Sequence, residues 1–343
     1  LSDFSNGAIN YMHFLGFFYR AFFSASHLFG KELSVLAFVL SCVVLVKLVY
    51  ILDLRRFRVG IVLFFGLLPS KVIFGSVTLR EPWQALFFLL FVYSAIRLQN
   101  RLGILNVSLL LMSSFCMSLL HHGLAKYAVY LFLISIFWCV FGSKRSVRWV
   151  RNVRFLFAGL LVAFTIILIQ KMGLFMTIGE AFEEAADMRR SLMRYEGTRT
   201  AYGFELDTSS VIGLVNTISI CFVQYMFAPF PWQVGNVKDI WALLESILRF
   251  LLLFFAISSW WRSSGEVRSR YSFLLIAVLG MEFVWALGTV NWGTAIRHHM
   301  PGYSVIVLLG APGLILFMRR LQFGIFRIRK DSGELNEQSL HMS

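Results

Sequence analysis

The chain has 343 residues, 58% of them hydrophobic and 15% charged, with a mean hydropathy of +0.73. A soluble domain averages about 45–50% apolar and about 25% charged residues, so a water-soluble globule is excluded and an integral membrane protein is expected. The net charge of +14 does not point to nucleic acid, because the cations fall in short clusters between apolar runs and not on one soluble face.

From the start of the chain, AINYMHFLGFFYRAFF (8–23) is aromatic-rich and broken by His13 and Arg20, which reads as an interfacial helix. A spanning helix needs about 20 apolar residues. Such runs lie near 33–51, 59–79, 82–98, 103–120, 124–142, 155–173, 241–260, 271–289 and 303–318. Pro69-Ser70-Lys71 interrupts the second run and predicts a broken helix at membrane depth, where irregular backbone is tolerated only against protein or a water-filled cavity. Cys42, Cys116, Cys139 and Cys221 all lie in apolar segments without CxxC spacing, so they read as core residues, with no disulfide, metal site or cofactor expected.

The basic connectors at 53–58, Arg97/Arg101, 144–154, 262–270 and 319–330 hold more than half of the 32 Lys and Arg. Placing all of them in the cytoplasm satisfies the positive-inside rule. Nine spans then alternate, residue 1 lies outside and 319–343 forms a cytoplasmic basic tail. An outer start leads to the expectation of a further span upstream of Leu1. VIGLVNTISICFVQYMFAPF (211–230) would invert every later connector if it crossed, and it contains Asn216, Gln224 and Pro229. It therefore reads as a re-entrant or interfacial segment on the outer side, with an ordinary tenth span as the alternative. Residues 171–210 form an extracytoplasmic loop whose 178–195 stretch is an amphipathic helix. Ile178, Phe182, Ala185, Met188 and Leu192 recur at helical spacing, with acids first and Arg189, Arg190 and Arg194 after, as the helix dipole favours. The expected architecture is one all-α, polytopic transmembrane bundle over 1–343, with about nine spans and the 211–230 segment.

With this topology the unusual polar residues gather on the outer face. Lys71, Arg80 and Glu81 surround the broken second span; the planar fork of Arg suits phosphate, with Glu81 as base or orienter. The alternative is a headgroup-level hairpin cap in which Pro82 opens the next helix. NWGTAIRHHMPG (291–302) supplies Asn291, Trp292, Arg297, His298 and His299, where histidine exchanges protons near neutral pH and Arg holds a diphosphate; a loop anchored to lipid headgroups is the bland reading. His121-His122 is a second proton-transfer pair or simply the polar tip of a tight turn, and Asp3 stands near the start of the chain. Inside the spans, Arg249 and Glu282 lie ~12 Å and ~10 Å deep at ~1.5 Å per residue. These matching depths predict a structural ion pair, with Glu245 one turn above Arg249.

LPSKVIFGSVTLRE, YMFAPFPW followed by Glu245, and NWGTAIRHHMP resemble the bacterial O-antigen polymerase-like proteins (oligosaccharide repeat-unit polymerases) and the related GT-C class glycosyltransferases. The resemblance implies a multi-pass bacterial inner-membrane enzyme of polysaccharide biosynthesis. Its substrate would be a polyprenyl phosphate- or diphosphate-linked sugar on the extracytoplasmic face, and it would use neither metal nor nucleotide sugar. Arg80 and Arg297-His298-His299 match the outer-face Arg and His of that family in type, and the expected catalytic residues are Arg80, Arg297 and His298, with Glu81, read from its place beside Arg80, as the alternative base. Lys71, His299, Asn291, Arg199 and the sugar-stacking Trp292 and Trp232 would bind substrate. Two other classes compete: a secondary transporter or flippase of lipid-linked glycan, and a non-catalytic membrane assembly protein working with polysaccharide-assembly partners. No inverted repeat of the kind transporters carry is visible in the chain.

Overall fold

The computed structural model describes residues 7–23, 26–100, 103–141, 178–195, 200–202 and 204–340, together with the isolated residue 159. The expected span at 155–173, the connector at 144–154, Asp3 and Arg199 lie outside the described residues. Among those described the chain is helical, with a single isolated bridge between Ala201 and Asn291 and no strand.

In chain order the helices are α1 (Gly7–Ala21), α2 (His27–Ile51), α3 (Arg58–Gly66), α4 (Pro69–Gly75), α5 (Glu81–Asn100), α6 (Ile104–Leu120), α7 (His122–Phe141), α8 (Ile178–Tyr195), α9 (Val211–Phe227), α10 (Val237–Arg262), α11 (Gly265–Gly288), α12 (Trp292–His298) and α13 (Met300–Leu340). Four of them, α2, α10, α11 and α13 as far as Gln322, are long and apolar enough to cross a membrane. A fifth span follows if the bent pair over Arg55–Gly66 and Pro69–Gly75 crosses as one unit. The molecule is thus an all-helical, multi-pass membrane protein with four or five such spans among the described residues, fewer than the nine expected. Helices α6 and α9 and the apolar part of α7 fall in the shorter class of apolar helices.

The break expected at Pro69-Ser70-Lys71 is present: α3 and α4 meet at 62°. Pro69 occupies the first turn of α4, where its missing N–H costs nothing. Helix α2 ends in a left-handed turn at Asp53 (φ 57°), with Leu54 N bonded to Val49 O across it. Two of the basic connectors meet at one end of the bundle. Arg270 Nη1 donates to Ile51 O (3.0 Å), joining the 262–270 connector to the end of α2. The opposite end carries the turns at Glu81, at His121 and at 291–299, the polar turns singled out in the sequence; it is called the histidine end below.

Helix α13 is the axle. Helices α11, α10, α5 and α3 all pack on it, and nearly every residue from Met300 to Leu314 is buried. Close approach to α10 depends on Gly310, where a Cβ would run into the backbone of Leu252. Small residues at such crossings let helix backbones meet in membranes, where apolar burial alone drives little association. Helix α9 keeps both flanks at the histidine end. Leu206, just before it, clusters with Ala186, Cys221 and Leu287, while Ala228, just after it, clusters with Tyr202, Ala242 and Trp292.

Gly310→Ala is expected to cost about 1–3 kcal/mol through overpacking against an immovable backbone. Thermal unfolding in detergent reads the loss; an unshifted transition would show that α10 and α13 are not in this contact.

Candidate functional site

At the histidine end the chain assembles two tiers of polar groups, separated by the direction in which two adjacent histidines point. The upper tier is built from the start of α5, the turn before α7, the end of α11 and helix α12. Arg80, just ahead of α5, donates from Nη1 to Leu120 O (3.3 Å). This bond brings the start of α5 to His121, whose Nδ1 accepts from Gly123 N (3.0 Å). His298, the last residue of α12, stacks on Trp285 at 4.1 Å between ring centroids, with 21° between the planes. His121 meets the same indole edge-on at 4.5 Å and lies 6.2 Å from His298. Thr289 Oγ1 is 2.9 Å from His298 Nδ1.

Enclosure holds the His298 imidazole well below the ordinary histidine range, and His121, Arg297, His299 and Arg80 add to the effect. The same enclosure lowers Arg80, and Arg297 repels it while Glu81 favours its charge. His298 is therefore neutral at pH 7, between two guanidinium groups. Glu81 is buried, and its Oε2 has no hydrogen-bond partner. Both amide atoms of Gln84, one turn deeper on α5, also lack partners, as does Trp285 Nε1.

The lower tier lies within the bundle. Glu282 on α11 meets His299, its Oε2 2.6 Å from Nδ1, while His299 Nε2 lies 3.0 Å from Tyr225 O. Lys71 on α4 is fully buried, donates to Met300 O and sits 5.0 Å over the Phe65 ring. Glu245 on α10 accepts from Ser70 N at 2.7 Å, placing a carboxylate on the N-terminal turn of α4, where helix amides attract anions. Arg249 donates to Met226 O (2.6 Å) and lies over the Tyr303 ring at 5.3 Å.

The predicted Arg249–Glu282 ion pair is corrected here. Both residues do lie in the same tier, but His299 takes the carboxylate and Arg249 takes a main-chain carbonyl. Gly302 explains the first contact: a Cβ there would collide with Glu282 Oε1, so its absence lets the start of α13 close on α11. Helix α9 explains the second, because its unsatisfied C-terminal carbonyls, the negative end of its dipole, face Arg249.

The structure unites Arg80, Arg297 and His298 with His121 in the upper tier, Glu81 beside Arg80, and Lys71, His299, Arg249 and Glu282 in the lower one. Asn291 instead caps α12, its Oδ1 accepting from Thr294 N at 2.7 Å. Trp292 is buried against Tyr202 at 6.4 Å and offers no open face to a sugar. Trp232 is 78% exposed and stacked on Phe230 at 4.9 Å, apart from both tiers. His121 was readable as a bland turn tip; its neighbours Trp285 and Thr289 carried no signal of their own. Among the described residues no group of His, Cys, Asp and Glu could hold a metal ion. No protein-family model, curated protein or solved structure matches the chain.

The neutral state of His298 has a pH signature. Its folded-state value lies below the ordinary ~6.5, so on acidification the unfolded chain binds the proton first and stability falls as pH drops below about 6.5. His298→Asn should flatten that acid limb in thermal unfolding. An unaltered limb would show that the imidazole is solvated.

Proposed function

We propose that the protein is a membrane glycosyltransferase or polysaccharide polymerase of the bacterial inner membrane. It transfers sugar from a polyprenyl phosphate- or diphosphate-linked donor at the histidine end, which faces the extracytoplasmic side. The observation that carries this reading is the upper tier itself. Two arginines and two histidines from three separate segments converge there, with Glu81, among the described residues, the acid brought beside them. Fixed cations of this kind favour an anion delivered at headgroup level, and the partial burial of all four side chains strengthens each such contact.

In the proposed reaction, the acceptor sugar hydroxyl attacks the anomeric carbon of the donor while its bond to the phosphate oxygen breaks. Arg80 and Arg297 stabilise the negative charge that appears on the departing diphosphate. The hydroxyl proton passes to His298 Nε2 or to Glu81. The base role for His298 requires its Nδ1–H to donate to Thr289 Oγ1, leaving the Nε2 lone pair free.

A second reading, transport of a lipid-linked glycan, draws on the lower tier, since ionisable groups inside spans often mark substrate or proton pathways. Purified protein in detergent, supplied with lipid-linked oligosaccharide and neither ATP nor an ion gradient, separates the two. Lengthened or transferred glycan supports the enzyme; no product, with translocation in sealed vesicles, supports the transporter. Within the enzyme reading, Arg297→Ala should lower turnover about 10²–10³-fold and abolish long-chain product while leaving membrane insertion intact. Product of normal length would remove Arg297 from the mechanism.

A further inference from the structure

Helix α8 was expected to lie over the membrane face on its apolar stripe, with Arg189, Arg190 and Arg194 in its second half. Arg190 does remain exposed and paired with Asp187. Arg189, however, is wholly enclosed, beside buried Ala186 on the face that meets α11. Its Nε donates to Phe204 O (2.5 Å) and its Nη1 to Ala286 O (3.2 Å) and Thr289 O (3.0 Å). All three acceptors are main-chain carbonyls, and Nη2 is buried without a partner. A guanidinium enclosed among neutral carbonyls is a costly way to seat an amphipathic helix, which an aliphatic side chain would seat at less cost.

The position of the acceptors supplies a purpose. Ala286 belongs to the last turn of α11, whose carbonyls have no partner within the helix, and Thr289 is the first residue beyond it. The hydroxyl of this same Thr289 lies 2.9 Å from His298 Nδ1. The chain after α8 completes the clamp: Tyr202 N donates to Val290 O (3.0 Å) and Trp292 N to Thr200 O (3.3 Å). Residues 289–292 are thereby held from one side by the 200–204 segment and from the other by Arg189.

We infer that Arg189 is a positioning residue: it fixes the backbone of Thr289, whose hydroxyl orients the His298 ring on Trp285, so that the seating of surface helix α8 decides whether His298 is presented as a base. The activity arm of this inference rests on the proposed transferase reading; the orientation arm does not.

The test is a double-substitution cycle on the full-length protein in detergent with Arg189→Gln, Thr289→Val and the pair together. Diethyl pyrocarbonate modification of His298, resolved from His299 by fragment mass spectrometry, reads orientation directly. Each single variant should expose His298 to faster modification, and the pair should add nothing to either. In the transfer assay each single variant should lower kcat about 10–100-fold, as misplacement of a reacting group by about 1 Å does. KM should be unchanged, and the pair should again be no worse than one. Additive effects, unchanged modification, or a rise in KM at constant kcat would overturn the inference. If Arg189→Gln does not fold, Arg189→Lys, which keeps the cation but not the planar fork, replaces it in the cycle. If the unsubstituted protein transfers no sugar, the transferase reading fails and the modification cycle alone decides the role of Arg189.

Discussion

The contact between Glu282 and His299 sets the geometry of the whole histidine end. A carboxylate inside a membrane bundle must find a partner, because an isolated buried charge is far costlier than a paired one. Glu282 finds His299 at 2.6 Å, and Gly302 lets the start of α13 come close enough for it to do so. Once His299 faces inward, His298 cannot, since successive residues near a helix point about 100° apart. His298 is turned instead to Trp285 and Thr289. One buried contact therefore sorts two neighbouring histidines into different chemical surroundings.

The two tiers differ in charge balance. In the lower one, the charges of Lys71 and Arg249 are matched by those of Glu245 and Glu282, and carbonyls of the α9 terminus and of Met300 accept from them, though Arg249 Nε and Glu282 Oε1 stay without partners. Helix α9 contributes through its dipole: its last carbonyls receive Arg249 and His299, and Ser246 bonds Phe227 O beside them at 2.5 Å. In the upper tier Arg80 and Arg297 repel each other and His298 is neutral. Unspent hydrogen-bonding capacity at Glu81, Gln84 and Trp285 surrounds them. A balanced tier fastens helices together, whereas an unbalanced one is an incomplete set of interactions of the sort a ligand completes.

Much of this was legible in the chain, and the misses have physical causes. The broken second span was readable because proline and lysine at membrane depth leave few alternatives. The gathering of Arg80, Arg297 and His298 followed from sidedness alone. Span number was harder, since α6 and α9 are apolar throughout but only 17 residues long, and hydropathy does not state where a helix ends. The Arg249–Glu282 pairing failed because depth was used without azimuth: the two residues do share a level, but which side chains meet across it depends on helix rotation. Arg189 was misplaced by a similar margin. A stripe drawn through Met188 puts Arg189 on the wet side, but Phe182, Ala186, Arg189 and Met193 also recur at helical spacing. Met188 is in fact 51% exposed, and the buried face runs one residue over.

That one-residue offset bears on how the protein is organised. A purely apolar stripe would let α8 slide or lift on the bundle end with little preference for register, since apolar contacts are non-directional. Three hydrogen bonds from one planar guanidinium admit a single register, and one of them ends on Thr289, the residue whose hydroxyl meets His298. Lys126 adds a second tie, reaching Glu184 at 2.8 Å from the first turns of α7, next to His121. Both anchors of the surface helix thus fall beside a histidine of the upper tier. The shape of that tier is set as much by what lies across the end of the bundle as by the spans beneath it.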